Sequence, residues 1–194
     1  MAAKKVIEAG DKRLKSKNKL VKDFKSPKLK ILLKNLKDSM YKADLVGIAS
    51  PQIGENFMVF LTHPRTTKAR SKNKNTKDKL RVFINPKITF ESKEKTLIYE
   101  GCGSLGDIFG PVLRPKEVKV EAFDETGRKF ALRTDGILAR IIWHEMDHLE
   151  GVEFIQKVSD LGKIVTKKHY RVKIRNSPLQ KKNSRITKIE VSSF

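Results

Sequence analysis

Leu29, Leu32, Leu33, Leu36, Met40 and Tyr41 recur at intervals of three and four, the period of a single helical face. Ser26 stands ahead of them with Pro27 next, a capping serine followed by the residue best tolerated at a first helical position. The pattern predicts an amphipathic helix over 27–42 with a lysine-rich outer face. A second, more buried helix is predicted from the apolar run 136–143, capped by Thr134 or Asp135 and ended by Gly151. Short β-type runs lie between the two at 57–61, 80–84 and 96–100. The first follows a loop at 43–54 punctuated by glycine and proline. The second stops at Asn85-Pro86, and 87–90 reads as its resumption. Within 112–123 the chain alternates, with Val118, Val120 and Ala122 on one face, and the turn at 125–128 sends it back through 129–133. A short final helix is predicted within 160–168. Strands leading into one long buried helix predict an α+β domain, with small antiparallel or mixed sheets packed around the central helix.

Composition adds segments outside that core. Hydrophobic residues make up 38% of the 194, below the usual share of about 45–50%. Residues 62–79 lack apolar periodicity and are rich in Lys, Arg, Thr and Asn, which reads as a solvated insertion in a domain spanning 1–170. Residues 171–194 read as a basic tail, and deletion of 175–194 is expected to leave the fold intact. Forty-three basic against 22 acidic residues give a formal net charge of +21. That field suits a polyanionic partner such as RNA, the ribosome or an anionic membrane. No apolar run reaches the length of a membrane-spanning helix. One cysteine, Cys102, excludes an internal disulfide and points to a reducing compartment, most simply the cytoplasm.

The chemistry concentrates in the second helix, where His144, Glu145 and His148 form an HExxH pattern. Positions i and i+4 of a helix share one face, so both imidazoles can grip one metal ion while Glu145 reaches its water. Cys102, flanked by Gly101 and Gly103, is the natural third ligand. Two imidazoles and a thiolate leave a fourth position for water, which distinguishes a catalytic site from a closed structural one.

Three separated segments then resemble the signature motifs of the peptide deformylase family. They are Gly47-Ile48-Ala49-Ser50-Pro51-Gln52, Glu100-Gly101-Cys102-Gly103-Ser104 and His144-Glu145-Met146-Asp147-His148. Their order agrees with the family, as do Gly10-Asp11, Arg114-Pro115 and the run 136–140, so the resemblance covers roughly 6–158. It implies removal of the formyl group from N-terminal formyl-methionine of nascent polypeptides. It further implies a divalent metal on Cys102, His144 and His148, with ferrous iron native and zinc, nickel or cobalt accepted. Glu145 is implied as proton carrier, and Gln52 with the Gly103 backbone as oxyanion donors. Gly47 is implied as a main-chain partner of the substrate, and Val46, Ile98, Ile137 and Ile141 as the methionine pocket. Glu100 and Asp147 read as supports for the ligating histidines, with Arg114 an alternative partner for Glu100.

The sequence departs from the family pattern at several places. Leu45 stands where a first glycine is usual, Ser50 replaces an alanine, and Gly103 occupies a variable position that is often leucine. Gly106 replaces a frequent proline, and Phe109 stands near a frequent arginine. None of these removes a ligand, Glu145 or Gln52. Two rival readings remain open. One is a basic ribosome- or RNA-associated deformylase-like protein of weak or altered activity. The other is a zinc peptidase, which has no need of Cys102 or the Gln52 loop.

Overall fold

The chain is described here from a computed structural model covering residues 3–67 and 76–194. Helix α1 runs Pro27–Lys42, and the Ser26 hydroxyl accepts the Leu29 N–H at 3.3 Å. Leu29, Leu32, Leu36 and Met40 form its buried stripe. The next segment, expected as a loop, holds a three-residue strand β1 (Gly47–Ala49) and a 3-10 turn at Ser50–Ile53. So short a strand leaves almost no alternation to detect before Pro51 interrupts it.

β2 (Val59–Thr62) and β3 (Arg81–Glu91) follow. β3 passes through Asn85-Pro86 as a bulge, with Asn85 at φ 51° and the register shifting between Ile84 and Lys87. The Asn85 side chain holds that bulge by bonding both the N–H and the carbonyl of Val21. Within the expected insertion at 62–79, residues 68–75 lie outside the described residues. At its far end Asp78 is paired with Arg81 at 2.5 Å.

The alternating stretch 112–123 divides at Lys116 into the ends of two strands, β5 (Ile108–Pro115) and β6 (Glu117–Phe123). β4 (Lys95–Glu100) pairs with β5, and β7 (Lys129–Asp135) pairs with β6 across the Asp124–Arg128 turn. Helix α2 (Gly136–Leu149) follows directly. The chain then makes β8 (Val165–Thr166), α3 (Lys167–His169) running into a π-helical turn at Tyr170–Ile174, α4 (Pro178–Ser184) and β9 (Ile189–Ser193).

Two antiparallel sheets result, of order β1-β2-β3-β6-β7-β9 and β4-β5-β8. α2 packs on β1, β2, β6 and β7 of the larger sheet. Through Arg140 it also bonds the Thr96 and Val112 carbonyls of the smaller one. It is therefore the central helix that the α+β expectation required. Leu138, Ala139, Ile142, Met146 and Leu149 join Phe60, Phe83, Val118, Val120 and Leu132 in its core. No helix among the described residues is long and apolar enough to cross a membrane.

The chain beyond residue 159 corrects two expectations. The helix expected within 160–168 is a 3-10 turn at Leu161–Lys163 followed by β8. The expected basic tail is folded onto both sheets: β9 extends the larger at β7, and α4 packs on β4. Its anchors are mostly single polar side chains, joined by Ile186 against the core and the adjoining Tyr170 stacked on Phe109, a set with no apolar period to read. Asp135, the expected helix cap, makes no side-chain bond to α2 and instead accepts from Thr187 and Lys188. Gly136, at φ 59°, lies where an added Cβ would collide with the Arg185 backbone.

Candidate metal centre

The HExxH turn lies near the C-terminal end of α2, and Cys102 lies in the loop after β4. Cys102 Sγ and ring nitrogens of His144 and His148 all lie within 4.8 Å of one another. Sγ is 3.2 Å from His148 Nε2, and the two rings meet edge to face at 5.0 Å. The thiol is 6% exposed. Burial pushes its pKa up, but His148 and His144 more than offset that and hold it well below the ordinary thiol value. His144 is driven upward by Cys102 and Glu100 against the cost of burial. A buried cysteine sulfur and two imidazole rings converging at this spacing suit one divalent cation of intermediate softness. Glu145 adds a second indication. Its Oε2 is buried with no hydrogen-bond partner, and desolvation raises its pKa to about 7. An orphaned carboxylate oxygen beside three ligand atoms fits a site that receives both a cation and a water.

Gln52 reaches the same place from the first motif. Its Oε1 accepts the Ala49 N–H at 2.9 Å, which fixes the amide so that Nε2 faces Cys102 Sγ at 3.7 Å and Ser104 Oγ at 3.3 Å. Ser104 N–H donates to the sulfur at 3.3 Å. The N-terminal stretch ties both loops down, since Ile7 N–H bonds the Gln52 carbonyl and Ala9 N–H the Ser104 carbonyl. At Gly47 a Cβ would run into Glu145 and Ile141, so glycine there lets β1 lie directly against the α2 face.

Glu100 supports this centre and carries charge away from it. It meets His144 Nδ1 at 3.0 Å, which leaves the other ring nitrogen for a ligand position. It also accepts from Arg114 at 2.7 and 3.0 Å and from Arg140 at 2.8 Å. The two partners that the sequence offered for Glu100 are therefore held together. Asp147 lies on Arg114 at 2.6 Å, one step removed from the histidines. Two carboxylates and two guanidiniums form this buried set, so it closes without net charge. Arg140 was missed from sequence. The signal was there: a lone cation inside the apolar run of a buried helix needs a buried partner.

A cavity of about 840 Å³ opens on the centre. Gln52, Cys102, Gly103, His144 and Glu145 line it, as do Gly47 and the four apolar residues Val46, Ile98, Ile137 and Ile141. Only His148 of the sequence-nominated ligands lies behind its wall. Two departures from the family pattern meet at its rim. A Cβ on Gly103 would lie 2.9 Å from Leu45 Cδ1, so Leu45 fills the space that a side chain at 103 would take.

An α+β fold with HExxH on its central helix and a cysteine sulfur opposite defines a candidate cysteine–histidine metal-binding class of site. The polypeptide deformylase profile matches residues 3–164, and the chain belongs to that family. Peptide deformylase 1B, chloroplastic/mitochondrial, of Arabidopsis thaliana is 36% identical over 156 residues, covering 80% of this chain and 54% of the relative. This chain therefore spans about half of that relative's length. Peptide deformylase of Christiangramia forsetii is 37% identical over 168 residues, covering 84% of this chain and 85% of the relative. Among solved structures, the Met-Ala-Ser-bound class I type b peptide deformylase of Acinetobacter baumannii superposes with a TM-score of 0.75 at 29% identity. That match covers 80% of this chain and 99% of the other.

Proposed function

We propose that the chain hydrolyses the formyl group from N-terminal formyl-methionine of nascent polypeptides, releasing formate and a free amine. The observation that carries this reading is the convergence of Cys102, His144 and His148 beneath a cavity that Gln52 and Glu145 also line. Cys102, His144 and His148 would hold a divalent cation, ferrous iron in our reading, with zinc, nickel or cobalt as substitutes. When bound, that cation supplies Lewis acidity and lowers the pKa of its water.

Glu145 takes a proton from the attacking water and delivers it to the departing amine nitrogen as the C–N bond breaks. A pKa near neutrality suits it to both halves of that transfer. Gln52 Nε2 and the Gly103 N–H donate to the oxygen that becomes negative as water adds to the formyl carbon. Gln52 arrives already oriented by Ala49, so little reorganisation accompanies the step. The β1 edge at Gly47 binds the peptide main chain by strand addition. Val46, Ile98, Ile137 and Ile141 take the methionine side chain, and the Acinetobacter relative's bound Met-Ala-Ser supports a peptide of that type here. Cys102 in thiolate form fits a reducing compartment such as the cytoplasm.

Formate release from formyl-Met-Ala-Ser, measured anaerobically with ferrous iron supplied, tests the reading. Release that disappears in Glu145→Gln while metal content is retained supports it. Cleavage of internal bonds in unformylated peptides would overturn it in favour of a peptidase.

A further inference from the structure

Residues 165–194 lie beyond the stretch matched by the family profile, yet they build one side of the cleft. Tyr170, Arg171, Arg175, Gln180 and Lys181 line the same cavity as Cys102 and Glu145. Specific contacts hold them there. Tyr170 stacks on Phe109 with ring centroids 4.1 Å apart and planes 5° from parallel. Gln180, itself 6% exposed, accepts the Tyr99 N–H at 3.0 Å and donates to the Tyr99 carbonyl at 3.4 Å. Asn183 donates to the Leu97 carbonyl at 2.9 Å. The outward backbone of β4 is thus taken at Leu97 and Tyr99. A peptide pairing with β1 cannot continue along that edge and must pass the α3–α4 side of the cleft.

The charges on that side are uneven. Apart from Glu145 at the metal centre, the acidic groups lining the cavity have partners: Asp44 lies 3.7 Å from Arg65, Asp107 lies 2.8 Å from Lys167, and Glu100 is taken by Arg114 and Arg140. Arg171, Arg175 and Lys181 have no ion-pair partner among the described residues. Arg175 is half-buried, and burial works against its protonated form, with Tyr170 partly offsetting that cost and the neighbouring Arg171 charge adding to it. The unmatched, half-buried Arg175 and the exposed Arg171 near it are suited to carboxylates, which guanidiniums bind through two parallel hydrogen bonds. A concavity of this size suits a short extended peptide. A nucleic-acid strand instead needs an open basic groove with aromatic platforms, whereas Tyr170 is already stacked within the protein.

We propose that Arg171, Arg175 and Lys181 form a specificity wall that favours formyl-methionyl peptides with acidic side chains shortly after the methionine. The proposal rests on the deformylase reading. Its test compares three C-terminally amidated peptides on the full chain loaded with iron: formyl-Met-Ala-Ser-Ser, formyl-Met-Asp-Glu-Asp and formyl-Met-Lys-Ala-Lys. The acidic peptide is expected to exceed the neutral one in kcat/KM by about tenfold at low salt, with the advantage shrinking as salt screens the exposed part of the contact. In R171A/R175A the acidic-to-neutral ratio falls close to one. In R175E the preference moves toward the lysine peptide, which separates a charge effect from a damaged fold. Equal rates on the acidic and neutral peptides in the unaltered chain overturn the proposal, as does a ratio that survives both variants. A variant that loses binding of single-stranded RNA while keeping its peptide ratio assigns the wall to nucleic acid and also overturns it. Absence of formate from all three peptides refutes the deformylase reading itself.

Discussion

Leu45 and Gly103 show how two residues that each break a family pattern can be acceptable together. Leu45 occupies the space over Gly103, where even a Cβ would stand 2.9 Å from its terminal methyl. Gly103→Leu alone is expected to lose about 1–3 kcal/mol, the usual cost of overpacking. Leu45→Gly alone gives up apolar contact and frees the backbone ahead of β1. The double variant Leu45→Gly/Gly103→Leu is expected to recover most of the loss. Urea unfolding of the four proteins checks this, and strictly additive effects would disprove the pairing. Because the Gly103 N–H is also the proposed oxyanion donor, the single variants should lower kcat more than they raise KM.

Between elements, the Glu100–Arg114–Asp147–Arg140 set joins β4, β5 and α2 in the buried interior. Glu100→Gln leaves guanidinium charge uncompensated and is expected to destabilise by about 3 kcal/mol or more, measured by chemical denaturation at neutral pH. The set also gives an acid dependence. Burial alone would raise the Glu100 pKa, but Arg114, the His144 hydrogen bond and Arg140 depress it far below the ordinary glutamate value. A depressed carboxylate contributes its full stability above the unfolded-state pKa of about 4.5 and loses it as pH falls below that. The unaltered chain should therefore weaken steeply below about pH 4.5, and Glu100→Gln should show a shallower slope there. The elements themselves were unequally readable. α1 was legible because a capping serine, a proline and a four-turn apolar stripe all agree, and the HExxH turn because its spacing is itself the helix period. β1 was not, since three residues before a proline carry no period. The segment after 165 was not, because Gln180, Asn183, Thr187 and Lys188 anchor it through hydrogen bonds to backbone and to Asp135. Deleting 175–194 is now expected to lower the thermal midpoint by several degrees and to open the cleft. An unchanged midpoint would show that β9 and α4 contribute nothing.

For the whole molecule, a formal charge of +21 is far larger than the cleft needs. On the proposed deformylase reading, a field of this sign would draw the protein to the ribosome, whose RNA phosphates release counterions on binding. Glu145→Gln protein is expected to co-sediment with ribosomes at about 50 mM salt and to lose most of that binding by about 200 mM. Retention that ignores salt would rule out an electrostatic origin. The same molecule also has a built-in order of mechanical failure. β9 lies antiparallel to β7 with Ser193 opposite Phe130, so tension applied between Phe194 and the 124–128 turn, which sit at the same end of the pair, unzips one pair at a time instead of shearing the ladder as a block. The strand peels first, the Arg185 backbone then lifts from Gly136, and α4 follows from β4. In a single-molecule stretching trace, the C-terminal side of the cleft would be dismantled at low force while α2 and the Cys102 loop still held.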